Sequence, residues 1–299
     1  MTEKRKRNIG PVLILLAGVF WGSMGIFVRK LGAFGFSAAQ IVCIRVTLAA
    51  LAFCVLLLFK EPSGFVLSPR DIPLFIGLGF GSILFFTFCY FTAITLMPLS
   101  AAAILLYTSP VWIMLMSALF FREKIGRAKI LALVLAFSGC VLVSGVSGEG
   151  ITLPGVLFGL GSGIGYGLYS ILGTVALRRY SPWTITAWTF LFAAAGSFLV
   201  CRPAEMIGIF KASADLPGLV LFCCVTALVT AVIPFLLYTL GLSTVEAGRA
   251  GILATVEPMV AAVIGVLFFS EPLTVLSGLG IALILAAVVL LNRKPRRDL

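Results

Sequence analysis

From Ile72 to Phe121 the chain carries no Asp, Glu, Lys or Arg. A soluble helix or strand must show water a polar face, and an uncharged apolar stretch of this length leaves none. A bilayer core about 30 Å thick is crossed by about 20 apolar residues in a helix, so the stretch holds two spans. It divides at Met97-Pro98-Leu99-Ser100, where Pro resists a continuing helix and Ser100 can cap the next one. Of 299 residues, 61% are hydrophobic and only 11% charged. The same reasoning along the whole chain predicts an all-α integral membrane protein. It places ten transmembrane helices at about 9–28, 38–59, 72–96, 100–121, 128–147, 154–177, 183–201, 217–242, 247–269 and 273–292. Ile9 to Val28 lacks a small-residue cleavage site and reads as a span, not a removed signal. Ser68-Pro69-Arg70-Asp71 predicts a capping box opening the third helix. The longest connection, about 202–216, is too short to hide a globular domain.

The few charges set the topology. Lys4, Arg5, Lys6, Arg7, Lys60, Arg70, Arg122, Lys124, Arg127, Lys129, Arg178, Arg179, Arg293, Lys294, Arg296 and Arg297 fall on one side of a ten-span chain. Arg29, Lys30, Arg202 and Lys211 fall on the other, a ratio of about four to one that puts both termini in the cytoplasm. The net charge of +11 is thus mainly a topology signal. No basic patch interleaves with exposed aromatics, so no nucleic-acid partner is expected. Histidine is absent, which excludes Ser-His-Asp and Cys-His nucleophiles and every His-ligated metal. Cys43, Cys54, Cys89, Cys140, Cys201, Cys223 and Cys224 show no C-x-x-C spacing and read as small buried apolar residues. No phosphate-binding G-x-x-x-x-G-K-[ST] is present, so ATP is not the direct energy source.

The chain also repeats itself. Leu119-Phe120-Phe121-Arg122-Glu123 matches Leu267-Phe268-Phe269-Ser270-Glu271 at an offset of 148, and at that offset Pro110 falls on Pro258 and Tyr90 on Tyr238. Gly18 and Trp21-Gly22 match Gly163 and Tyr166-Gly167 at 145. The predicted units are 1–148 and 149–299, each with five helices. An odd number of spans makes the second unit enter the membrane inverted. Inverted repeats belong to alternating-access transporters, with the substrate near the midplane between them.

The residues Trp21-Gly22-Ser23, Arg45, Tyr90, Ala93, Glu257-Pro258 and Leu267-Phe268-Phe269-Ser270-Glu271-Pro272 resemble the EamA-type members of the drug/metabolite transporter superfamily. The resemblance covers nearly the whole chain. It implies a basket of ten helices in two inverted five-helix repeats, a central cavity lined mainly by helices 1, 3, 4, 6, 8 and 9, and no cofactor. The first half departs from the pattern at Ser109, which stands where the second half has Glu257.

Glu257 lies about eleven residues into the ninth predicted helix, roughly 16 Å deep at 1.5 Å per residue. An ionisable group there points to function. It suits a proton-coupling carboxylate or a counter-ion for a substrate amine. Capping of backbone groups freed by Pro258, or pairing with an arginine, is the plainer alternative. Arg45, about seven residues into helix two, suits a substrate carboxylate, or snorkels. Arg249, beside Glu246, reads as an interface residue or an inner-gate charge. Trp21, Tyr90, Tyr107, Tyr166, Tyr169 and Tyr238 are candidate cavity walls, because a ring with a polar edge both stacks and donates. Trp183 suits an interfacial belt instead. Pro110 and Pro258 are candidate hinges, each removing a backbone donor mid-helix. The glycines at 155, 159, 163 and 167, with Gly18 and Gly22, predict close packing and a possible sliding contact between helices one and six.

The expected function is secondary transport of small metabolites by alternating access, as an exporter of amino acids or related compounds, proton-coupled or facilitative. The expected site is Trp21, Arg45, Tyr90, Tyr107, Ser109, Tyr166, Tyr169, Tyr238 and Glu257, hinged at Pro110 and Pro258, in a cytoplasmic-membrane monomer or homodimer. A membrane-embedded lipid-modifying transferase would gather carboxylates or histidines at one membrane face, and this chain does not. A non-transporting membrane subunit would need an output domain, for which no connection leaves room.

Overall fold

The computed structural model describes residues 3–145, 151–270 and 274–292. Glu271, Pro272 and the basic tail Arg293, Lys294, Arg296 and Arg297 lie outside them, as do the side chains of Lys4, Arg5, Lys6, Arg7 and Ser100. Among the described residues all regular structure is helical. In chain order the long helices are α1 (Ile9–Ala33), α2 (Ala38–Lys60), α3 (Pro69–Leu96), α4 (Ala101–Phe121) and α5 (Arg127–Ser144). There follow α6 (Leu153–Ala176), α7 (Pro182–Ser197), α8 (Leu216–Leu242), α9 (Ala247–Phe269) and α10 (Val275–Asn292). Eight of them are long and apolar enough to cross a bilayer; α7, at 16 residues, and the apolar run Val275–Leu291 of α10 are shorter. Leu119, Leu199, Leu267 and Val275 are each more than two-thirds exposed, as expected where the solvent is lipid.

The core forms where helices from both ends of the sequence meet. α1 packs against α8 and α9, α2 against α7, α3 and α4 against α6, and α5 against α10. In that last pair Gly139 and Gly280 bring the two backbones together: a methyl on either would meet the other's carbonyl oxygen at 2.7 Å.

Several expectations change. α1 continues past Val28 to Ala33, but breaks at Ser23 between Glu3–Gly22 and Met24–Ala33. The Ser23 hydroxyl donates to the Phe20 carbonyl, which competes with the helical ladder. No capping box forms at Ser68. Its side chain makes no cap, Pro69–Asp71 is a single 3-10 turn, and Asp71 is engaged by Arg179 at 3.0 Å and the Tyr180 hydroxyl at 2.8 Å. The helix expected from Ser100 begins at Leu99, one residue ahead of Ser100, with Pro98 before it. The supposed loop between α7 and α8 contains the helix Pro203–Ala212, whose Met206, Ile209 and Phe210 pack inward. The glycines of α1 and α6 do not slide on one another: Gly18 and Gly22 face α9, while Gly159 and Gly163 face α4. Five cysteines are buried, Cys54 is half-buried and Cys224 exposed, and all are free thiols.

The same backbone irregularities recur at the offset of 148. The chain enters α4 through Pro98 (φ −56°, ψ 142°) and α9 through Glu246 (φ −57°, ψ 140°). α4 breaks at Tyr107 and Thr108, α9 at Thr255. α4 ends at Arg122 (φ 56°) and α9 at Ser270 (φ 54°), both in the left-handed region. α3 and α8 both contain π-helical turns, at Gly77–Leu84 and Leu228–Val232. π turns are rare and gather where function interrupts a helix.

Candidate functional site

The prolines act differently from the mid-helix kinks expected of them. Each lies just inside a new helical segment, Pro110 in Ser109–Phe121 and Pro258 in Val256–Phe269, with the chain already broken ahead of it. A proline at a helix start forfeits no bond of its own, but it deprives the carbonyl four residues earlier of its donor. Those carbonyls belong to Leu106 and Ala254. The break is eased by a threonine at each site: Thr108 donates to the Leu105 carbonyl at 2.6 Å and Thr255 to the Ile252 carbonyl at 2.7 Å. Irregular backbone at this depth is tolerated only inside protein or along a cavity. Glycines supply that cover. Gly163 lies against the Leu106 carbonyl and Gly18 against the Ala254 carbonyl, with 3.3 and 3.2 Å left for a methyl group.

At the α9 break the side chain is Glu257, which is 9% exposed. Its Oε2 accepts a 3.0 Å hydrogen bond from the Tyr166 hydroxyl of α6. A hydrogen bond to a charged group contributes about 1.5–3 kcal/mol, comparable to the cost of holding a carboxylate in a bilayer. Tyr90 of α3, Tyr107 at the α4 break and Cys140 of α5 lie within electrostatic range of the same carboxylate. Arg45 of α2 also lies in that range, yet its Nη2 donates to the Thr230 carbonyl at 3.3 Å. That carbonyl belongs to the π turn of α8. Two groups of opposite charge thus lie within electrostatic range of each other, each hydrogen-bonded to a neutral partner. At the α4 break, Ser109 is buried at 3% exposure, with its backbone carbonyl facing Gly167.

Beside Glu257 the aromatic residues close a small cavity. Trp21 of α1 meets Phe235 edge-on at 5.1 Å, Tyr238 at 5.3 Å and Tyr166 at 6.1 Å between ring centres. The Tyr169 hydroxyl is 2.7 Å from Thr239 Oγ1, and Tyr238 is 2.8 Å from Ser170 Oγ. Phe86, Ile83 and Ser82 of α3 complete the wall. The Ser82 hydroxyl is buried without a protein partner. The space is about 20 Å³, on the scale of one water molecule, so a metabolite enters only when the walls part. Helices α1, α3, α6 and α8 line it. α9 joins through the Tyr166–Glu257 bond, and α4 does not line it.

Of the residues singled out in the sequence, Trp21, Tyr166, Tyr169 and Tyr238 line this cavity. Glu257, Arg45, Tyr90 and Tyr107 form an electrostatic group beside it, and Ser109 packs without a described polar side-chain partner. Phe86, Phe235, Ser82, Ser170, Thr230 and Thr239 were not foreseen: each looks like ordinary apolar or neutral helix sequence. The one available signal was the offset of 148, which places Ser82 on Thr230. Trp183 is half-buried against the core. Among the described residues no cluster of three or more His, Cys, Asp or Glu could hold a metal ion.

The two ends of the bundle are fastened differently. At one, Lys129 of α5 bridges Glu246 at 2.6 Å and Glu123 at 3.4 Å, and Glu123 Oε1 accepts from the Ala247 backbone N–H at 3.2 Å. Arg249 lies in electrostatic range of Glu246. Ser181 also donates to Glu61 there, and Arg178 stacks over Phe121 at 5.4 Å. At the other end, Arg29 lies over Phe269 at 4.0 Å and Lys30 over Phe222 at 4.7 Å.

Comparison with known proteins agrees with this architecture. The model of the EamA-like transporter family matches twice, over residues 8–145 and 153–293. An uncharacterized transporter of Archaeoglobus fulgidus is 31% identical, covering 97% of this chain and 98% of its own. The threonine/homoserine exporter RhtA of Salmonella typhimurium is 27% identical, covering 96% and 94%. The pseudopaline exporter CntI of Pseudomonas aeruginosa is 32% identical over 45% of each chain. A solved crystal structure superposes with a TM-score of 0.78 at 19% identity, covering 95% of this chain and 96% of the other, which shows the shared fold. The chain is a multi-pass membrane protein belonging to the EamA-like transporter family.

Proposed function

We propose that this protein exports amino acids or related small metabolites across the cytoplasmic membrane by alternating access, with both termini inside. Its ten helices form two inverted repeats, 1–148 and 149–299. The recurrence of both helix breaks, both left-handed ends and both π turns at one offset supports the repeat. The basic residues gathered on one side support the orientation. The relatives named as exporters support the direction of transport.

One observation carries the substrate reading: Glu257 and Arg45 face one buried region with opposite charge and make no ion pair with each other. An α-amino acid presents the matching ammonium and carboxylate. Its ammonium displaces the Tyr166 hydroxyl from Glu257, and its carboxylate takes the guanidinium from the Thr230 carbonyl. The side chain rests among Trp21, Tyr169 and Tyr238, with Tyr90, Tyr107 and Ser109 on the α3 and α4 side. Each ligand charge replaces a weaker partner already in place, so the buried groups are never left bare. Pro110 and Pro258 hinge the segments that carry Ser109 and Glu257. Release of the ammonium on the outer side leaves Glu257 to take a proton, which returns inward on the empty carrier. The ionic network at the Lys129 end closes the inner mouth while the outer one opens.

Counterflow in proteoliposomes over a panel of amino acids and other metabolites, followed by an imposed pH gradient, tests this reading. Accumulation of at least one zwitterionic amino acid, faster with acid outside, is expected. Failure of every amino acid while another metabolite exchanges would overturn the substrate class. Indifference to the gradient would overturn the proton step.

A further inference from the structure

A second cavity lies away from the aromatic one. It is a crevice of about 790 Å³ at the other end of the bundle, between the last turns of α1, the helix Pro203–Ala212 and the first turns of α8. We propose that this crevice is a site for one phospholipid with a phosphoethanolamine headgroup, its phosphate on Lys30 and its ammonium on Asp215.

Charge on the rim and apolarity on the wall identify the occupant. Leu221 and Val225 of α8, with Phe34 after α1, make an exposed apolar wall that suits an acyl chain. The rim carries Lys30 and Asp215, of opposite sign, and they form no ion pair with each other among the described residues. The Lys30 ammonium rests over the Phe222 ring, a partner it keeps while binding a phosphate oxygen. Asp215 uses Oδ1 to cap α8, accepting from the Gly218 N–H at 2.9 Å, and its second oxygen is left to receive an N–H donor. A primary ammonium supplies such donors and a trimethylammonium supplies none. A singly anionic head without an amine would satisfy Lys30 and meet Asp215 with repulsion. Lys30 lies in the last turn of the apolar span Ile9–Ala33 and Asp215 just ahead of the span Leu216–Leu242, so both ends meet where the apolar segments stop, at headgroup depth.

The test reconstitutes the full chain in nanodiscs containing equal parts phosphatidylethanolamine, phosphatidylcholine and phosphatidylglycerol. Retained lipid is counted by native mass spectrometry after controlled detergent washing. One phosphatidylethanolamine is expected to persist, enriched about fivefold over each other lipid, the factor expected of one partly exposed charge contact. Lys30→Gln should lower the retention of all three lipids, because each carries the phosphate. Asp215→Asn should bring phosphatidylethanolamine level with phosphatidylcholine while leaving folding intact, because Asn caps a helix as well as Asp does. Equal retention of all three lipids by the unaltered protein would overturn the proposal. So would preferred retention of phosphatidylglycerol that is indifferent to Asp215→Asn, or a retained water-soluble metabolite in place of lipid.

Discussion

The breaks in α4 and α9 have the same backbone and different chemistry. Both follow a segment of eight residues, both are stitched by a threonine hydroxyl, and both precede a proline that strips a carbonyl of its donor. At one the residue ahead of the proline is Ser109, at the other Glu257. A parallel contrast separates Arg45, which reaches the π turn of α8, from Thr189 of α7, whose backbone carbonyl abuts Gly79 in the π turn of α3. The backbone breaks are duplicated, and the charge is kept in one copy. A single carboxylate in lipid is costly, and two facing each other would be costlier still.

The contrast is broken first by exchange at the two breaks. Glu257→Gln is expected to lower counterflow about 100-fold, since about 2.7 kcal/mol of charged contact is lost. Ser109→Ala is expected to change it less than about twofold. Comparable losses would mean that the two breaks share the chemistry. Next come the glycines that cover the breaks. A methyl on Gly22 would sit 2.7 Å from the Glu257 carbonyl oxygen and from Val260 Cβ, whereas one on Gly167 meets Ile113 at 3.1 Å and the flexible Met116 at 3.4 Å. Gly22→Ala should therefore destabilise by about 1–3 kcal/mol in a thermal unfolding assay, and Gly167→Ala by less than about 0.5 kcal/mol.

Much of this was legible in sequence, for physical reasons that differ by feature. The spans show because lipid permits long uncharged runs, and the break at Met97-Pro98 shows because proline forbids a continuing helix. Glu257 and Arg45 stand out because charge is rare in such runs. The breaks at Tyr107-Thr108 and Thr255 were displaced from the prolines that betray them, since a proline settles into the first turn after a break. The π turns at Gly77–Leu84 and Leu228–Val232 leave no mark, because their residues are ordinary helix formers in lipid. Ser68 resembles a cap but cannot act as one where Tyr180 and Arg179 claim Asp71. Phe235, Ser170 and Thr239 look like filler until Tyr169 and Tyr238 are seen to need partners.

Smaller effects sharpen the same contrast. Tyr166→Phe removes the donor to Glu257 and should slow counterflow about tenfold without altering expression. At the left-handed ends the two copies should behave alike. Arg122→Gly and Ser270→Gly each relieve a strained φ, and each should raise stability by about 0.5 kcal/mol in the same thermal assay. A gain at only one of them would show that the backbone duplication does not extend to energetics.

The central claim is that Glu257 recognises a substrate ammonium. It is tested most directly by counterflow of an exported amino acid against its des-amino analogue, in the unaltered protein and in Glu257→Gln. The account predicts that the unaltered protein prefers the amino acid by about 100-fold, and that Glu257→Gln loses the amino acid while handling the analogue as before. Retention of the same preference in Glu257→Gln would contradict it.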